Sequence, residues 1–168
     1  MRKKIIRGKS HIYGDNIDTD IIIPGKYTKT LDLNTLAEHV LEDLDPHFRN
    51  RVEKGDILVA GDNFGCGSSR EQAPLALKTA GVSAVVAKSF ARIFFRNAIN
   101  IGLPVMEVPH SHIEAGDELA IDLVAGSLTN MAQGKIFYAA RMPGIMVDIL
   151  QEGGLVHYLK KHGDYRLG

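Results

Sequence analysis

At 168 residues, 45% hydrophobic and 24% charged, the chain is the size and composition of a globular domain, which excludes disordered, collagen-like and coiled-coil proteins. The 20 Lys+Arg cancel the 20 Asp+Glu, so no global charge points to a nucleic acid or an anionic membrane as partner. The single cysteine rules out an internal disulfide, a Cys-rich zinc site and an all-cysteine iron–sulfur cluster, so the chemistry uses other side chains or borrows a cofactor.

The basic start, Met1 to Gly8, runs into polar residues rather than an apolar stretch, unlike a signal peptide. The apolar runs are far short of the ~20 residues of a membrane helix, and the expectation is a soluble, cytoplasmic protein. No repeat or linker divides residues 1–168, which are read as one domain. The Asp/Asn-rich stretch from Tyr13 to Tyr27 reads by spacing as a turn leading into a strand; it lacks the Gly and Glu of a calcium loop. Over 33–44, Leu33, Leu36, Ala37, Val40, Leu41 and Leu44 form a helical stripe, ended by Asp45-Pro46. Short apolar runs then alternate with helical patterns: 57–60, a Gly-rich loop, a helix over 70–80 and a run over 82–87. A helix N-capped by Ser89 and carrying Phe90, Ile93, Phe94 and Ala98 precedes the run 103–108. This order predicts parallel pairing with right-handed crossovers. The alternation over 117–124, a turn at Ala125-Gly126-Ser127 and a strand over 135–138 predict an antiparallel annex. A last helix over 143–152 opens on Pro143 and stops at Gly153-Gly154.

The segment Gly61-Asp62-Asn63-Phe64-Gly65-Cys66-Gly67-Ser68-Ser69-Arg70-Glu71 leaves a buried strand and enters a helix, where parallel α/β proteins bind ligands. Its glycines permit close backbone approach, the helix N–H groups face an incoming anion, and Arg70 adds a bidentate partner for carboxylate or phosphate. One of the two adjacent hydroxyls can serve as a base if those dipoles and the Arg70 charge stabilise its alkoxide. The plainer alternative is a tight turn with Ser68 or Ser69 capping the helix and Arg70 paired with a surface carboxylate. The Lys of a P-loop is missing and the glycine spacing of a dinucleotide fingerprint is wrong. Cys66 as a nucleophile has no marked histidine base, and His110-Ser111-His112 lacks partners for a metal, so no metal residue is assigned. Arg92 and Arg96 share a helix face opposite Phe90, Ile93 and Phe94 and are read as solvated or subunit-facing.

Taken together, Gly14-Asp15-Asn16-Ile17-Asp18-Thr19-Asp20, Asn63 to Glu71, Ala87-Lys88-Ser89-Phe90-Ala91-Arg92-Ile93-Phe94 and Asn97-Ala98-Ile99-Asn100-Ile101-Gly102-Leu103-Pro104 resemble the isopropylmalate dehydratase and homoaconitase small-subunit family of the aconitase superfamily. The resemblance implies an α/β fold, the swivelling β/β/α domain with a parallel βαβαβ core and an antiparallel annex. It implies no cofactor on this chain, a 4Fe–4S cluster on a large subunit, a heterodimer or heterotetramer, and a small hydroxy-acid substrate, with no nucleic acid and no membrane. The implied reaction isomerises 2-isopropylmalate and 3-isopropylmalate by dehydration and rehydration, in leucine biosynthesis. Ser68 maps onto the base that removes the carbon-bound proton, Ser69 and Arg70 onto carboxylate binding, and Asp20 onto an active-site aspartate. Substrate choice in such subunits lies in the segment that reads here Tyr27-Thr28-Lys29-Thr30. Lys29 stands where tricarboxylate-using relatives carry Arg, so a homoaconitase or related dicarboxylate hydratase subunit is the alternative. A non-enzymatic anion-binding module is the reading from another class.

Overall fold

The computed structural model describes residues 4–30 and 32–163. A seven-stranded sheet runs through it in the order β4-β3-β2-β1-β5-β6-β7. The strands are β1 (Ile5–Ile12), β2 (Ile57–Ala60), β3 (Ala84–Ala87), β4 (Val105–Glu107), β5 (Glu118–Asp122), β6 (Ser127–Asn130) and β7 (Lys135–Tyr138). β2 and β3 are apolar and buried at every position, as parallel strands covered on both faces must be. β2, β3 and β4 pair in parallel, and β5, β6 and β7 form the expected antiparallel annex. The fold is α/β with a mixed, curled sheet: the Ala140 N–H donates to the Glu107 carbonyl at 3.0 Å, tying the chain after β7 to the opposite edge at β4.

β1 is the strand that composition hides. Its residues 5–9 pair antiparallel with β5, and residues 10–12 pair in parallel with β2, so one strand joins the two halves of the sheet. Only Ser10 in it is buried, which explains why no apolar alternation announced it.

The helices are α1 (Thr19–Ile22), α2 (Leu33–His39), α3 (Phe48–Arg51), α4 (Gln72–Ala80), α5 (Arg92–Asn100), α6 (Gly144–Gln151) and α7 (Leu155–His162). Several depart from the expectations above. Residues after Asp18 form the short helix α1 rather than a strand, because the Asp18 carboxylate caps it by accepting from the Ile21 N–H at 2.7 Å. The stripe over 33–44 is helical only to His39; Val40 is extended and Leu41 takes a φ of 57°, its N–H donating to the Ile22 carbonyl at 2.8 Å. Leu33 and Leu44 are accordingly exposed. Ser89 does not cap α5, which starts only at Arg92 with no side-chain cap. Arg92 and Arg96 are exposed as expected, but Ile93 is exposed beside them rather than packed with Phe94. Beyond Gly153-Gly154 a further helix, α7, buries Tyr158. Its stripe, Leu155, Tyr158 and Leu159, has helical spacing but spans little more than one turn before the charged run Lys160-Lys161-His162.

Candidate active site

The loop leaving β2 is built by backbone pairing with the segment leaving β1. The Gly61 N–H donates to Gly14 O (3.0 Å), Asn16 N–H to Asp62 O (2.8 Å), Gly65 N–H to Ile17 O (2.7 Å) and Thr19 N–H to Cys66 O (2.8 Å). Side chains add to this zip: Asp15 accepts from the Asp62 N–H at 2.7 Å, and Asn63 Nδ2 donates to Asn16 Oδ1 at 3.1 Å. From the other side the Ser89 hydroxyl accepts from the Asn63 N–H (2.8 Å) and donates to Asp62 (3.1 Å). Ser89 thus holds the Gly-rich loop instead of a helix end. Phe64 is buried against the rings of Phe90 and Phe94. Gly65, at a φ of 81°, lies so close to Phe94 that a Cβ there would come within 2.2 Å of its ring.

This zip brings the sequence-predicted residues Ser68, Asp20 and Arg70 to one surface. Neither Ser68 nor Ser69 caps α4, so that part of the plainer alternative fails, while Arg70 does pair with an exposed carboxylate, that of Asp20. Ser68 Oγ instead lies 3.1 Å from Thr19 Oγ1. Thr19 is 2% exposed while Ser68 is open to solvent, so an exposed hydroxyl rests on a buried one. The backbone N–H groups of Gly67, Ser68, Ser69 and Arg70 take no protein acceptor among the described residues, which leaves a set of donors for an anion. Cys66 is partly buried and contributes its carbonyl to the zip.

Arg70 Nη1 donates to Asp20 Oδ1 at 2.7 Å and to the Ile23 carbonyl at 3.3 Å. The Gly25 N–H reaches the same Asp20 oxygen at 3.0 Å. The Arg70 hydrogen bond, then that of Gly25, holds the Asp20 carboxyl below the usual carboxylate range. Gly25 packs closely on this pair, since a Cβ there would sit 3.0 Å from the Arg70 guanidinium, which would have to shift slightly to admit it.

The 25–30 loop is the second wall. Residues Gly25–Tyr27 form a 3-10 turn. Tyr27 stacks on His39 with ring centroids 3.9 Å apart, the Thr28 hydroxyl donates to Gly25 O (2.8 Å), and Thr30 Oγ1 accepts from the Asp32 N–H (3.0 Å). Three of the four side chains expected to meet substrate are therefore engaged within the protein. Lys29 is exposed and makes no hydrogen bond or ion pair among the described residues. Sequence reasoning missed Thr19, whose hydroxyl gives no signal until the two segments are paired, and missed His39 and Gln72, which hold the loop from α2 and α4.

Residues 7–111 match the aconitase C-terminal domain family. The 3-isopropylmalate dehydratase small subunit of Caldicellulosiruptor bescii is 60% identical over 158 residues, covering 93% of this chain and 95% of that protein. The chain belongs to the 3-isopropylmalate dehydratase small-subunit family. A crystal structure of 3-isopropylmalate dehydratase from Methanocaldococcus jannaschii is 48% identical, with a TM-score of 0.90 over 95% of this chain and 96% of the other. The methanogen homoaconitase small subunit of Methanothermobacter thermautotrophicus is 56% identical over 157 residues, 93% of this chain and 92% of its own. The two-segment site lies within the part that matches the aconitase domain. Among the described residues no group of three or more His, Cys, Asp or Glu side chains is placed to hold a metal. With one cysteine in the sequence, this chain's residues do not fit an iron–sulfur cluster. No helix among the described residues is long and apolar enough to cross a membrane.

Proposed function

We propose that this chain is the small subunit of a hydro-lyase that interconverts 2-isopropylmalate and 3-isopropylmalate, supplying the base and the carboxylate-binding half of the site. The observation that carries it is the exposed Ser68 hydroxyl seated 3.1 Å from the buried Thr19 hydroxyl, in a chain that belongs to this family. Ser68 is the base: its alkoxide takes the carbon-bound proton as hydroxide departs from the neighbouring carbon, leaving an alkene. Rehydration returns the proton to one carbon and the hydroxyl to the other. An alkoxide is strongly disfavoured at neutral pH, and the Thr19 hydroxyl, donating to Ser68 Oγ, and the free N–H groups of 67–70 stabilise it as it forms. Ser69 and Arg70 hold a substrate carboxylate. Arg70 commits Nη1 to Asp20, which fixes the guanidinium plane and leaves its other N–H groups for the ligand. Asp20 acts by orienting Arg70.

The small-subunit names of the relatives support a large-subunit partner. We take the 4Fe–4S cluster and the acid for hydroxide departure to reside on it, in a heterodimer or heterotetramer in the cytoplasm, since the described residues here offer no ligand set. The test is reconstitution with the large subunit under anaerobic conditions. Activity should require both chains, and Ser68→Ala should lower kcat by about 10³-fold without weakening assembly. Turnover by the large subunit alone, or full activity of the Ser68→Ala complex, would overturn the reading. One observation favours homoaconitate as a second substrate: Lys29 is an unpaired cation suited to an additional carboxylate, and a homoaconitase subunit is among the relatives.

A further inference from the structure

We infer that the 25–30 loop is held in shape by a clamp from outside the site, in which His39, Glu42 and Gln72 are positioning residues for substrate discrimination. The inference rests on the proposed function. His39 is the last residue of α2, and its imidazole lies flat on the Tyr27 ring, centroids 3.9 Å apart and planes within 2°. His39 Nδ1 sits 2.7 Å from Glu42 Oε2, so the carboxylate fixes the rotation of the imidazole and the imidazole fixes the plane of Tyr27. The Tyr27 hydroxyl faces the same carboxylate, and the Lys26 ammonium lies 5.2 Å from the Tyr27 ring centroid. Desolvation opposes the Glu42 charge, but the His39 and Tyr27 hydrogen bonds outweigh it and keep the group below the usual carboxylate range.

The chain takes on strain to place Glu42 there. Leu41 occupies the left-handed region, uncommon for a bulky residue, and costs about 1 kcal/mol or more. It is fully buried, and its N–H is tied to Ile22 O at 2.8 Å. That turn ends α2 early and carries Glu42 back to His39. On the opposite side Gln72, two residues after Arg70, donates from Nε2 to the Thr28 carbonyl at 3.1 Å. Fixing that carbonyl fixes the peptide plane that precedes Lys29. The backbone from which the free Lys29 side chain projects is thereby held by a residue outside the proposed ligand contacts.

The test uses full-length His39→Ala and Gln72→Ala chains, alone and assembled with the large subunit. Hydrogen exchange at 25–30 in the isolated chain should accelerate about tenfold in either variant while 61–67 is unchanged. In the complex, kcat/KM for homoaconitate should fall about tenfold, mainly through KM, and that for 2-isopropylmalate should change less than about twofold. His39→Phe, which restores a flat ring but not the bond to Glu42, should recover part of the loss. Unchanged exchange overturns the clamp whatever the activity, and an equal fall for both substrates reduces His39 to a purely structural role and overturns the discrimination. A wild-type complex inactive on both substrates, with exchange as expected, refutes the isopropylmalate reading and leaves the clamp standing.

Discussion

The two loops that build the site are held by different kinds of bond. The 61–67 loop is fixed mostly by main-chain hydrogen bonds to residues 14–19 and to Ser89-Phe90-Ala91, bonds that do not depend on which side chains are present. The 25–30 loop makes its main-chain bonds within itself and to Pro24, and among the described residues it is tied to the rest of the molecule by side chains reaching in from α1, α2 and α4. A backbone zip suits residues whose chemistry must stay in place to a fraction of an ångström, the role proposed for Ser68 and its Thr19 support. A side-chain clamp can be re-aimed by a few substitutions, which suits a wall that selects among substrates.

Substitutions separate the two. Gly65→Ala should be the largest blow to the zip, costing about 2–4 kcal/mol in denaturant unfolding, because the new Cβ meets Phe94 and the φ is positive. A loss under about 1 kcal/mol would mean the loop yields, and the contrast with 25–30 collapses. Next, Thr19→Val keeps the buried volume and removes the hydroxyl beside Ser68. It should lower kcat for every substrate by about 10–100-fold with folding intact, and an unchanged kcat would remove Thr19 from the site chemistry. Lys29→Val should instead leave kcat for isopropylmalate nearly intact and shift the preference away from homoaconitate by about tenfold. If both substrates respond alike, the 25–30 loop does not select.

The smallest effect is a control that touches neither loop. Asp45 accepts from Arg51 at 2.6 Å and from the Tyr13 hydroxyl at 2.7 Å. Arg51 foremost, then Tyr13, holds the Asp45 carboxyl below the usual range against desolvation, while burial and Asp45 raise Tyr13. A depressed folded pKa gives stability that is fully present above the unfolded value of about 4 and is lost as pH falls through the folded value. Asp45→Asn should therefore cost about 1 kcal/mol at neutral pH, a penalty that shrinks as pH falls below about 4, with both loops affected equally.

Much of this was legible in the sequence because the signals were local. Buried strands at 57–60 and 82–87, a Gly-rich turn between strand and helix, and an Arg beside two hydroxyls are each short-range patterns. What escaped depends on distance along the chain. Thr19 meets Ser68 across 49 positions, and no spacing rule reports such a pair. Ser89 showed the grammar of a helix cap and spends its hydroxyl on a loop 26 residues earlier. The stripe over 33–44 was periodic enough for one long helix, yet the Leu41 bond to Ile22 outcompetes the last turn.

The place of β1 bears on how the protein is made. Ile5 pairs with Asp122, so β1 waits for more than a hundred further residues before its outer partner leaves the ribosome. Its inner partner, Ile57 to Val59, comes out sooner, which lets the parallel half assemble around β1 while the annex is still unmade. During that interval residues 5–9 present an open edge to the cell, so nascent chains halted between Ala87 and Glu118 should be the aggregation-prone species.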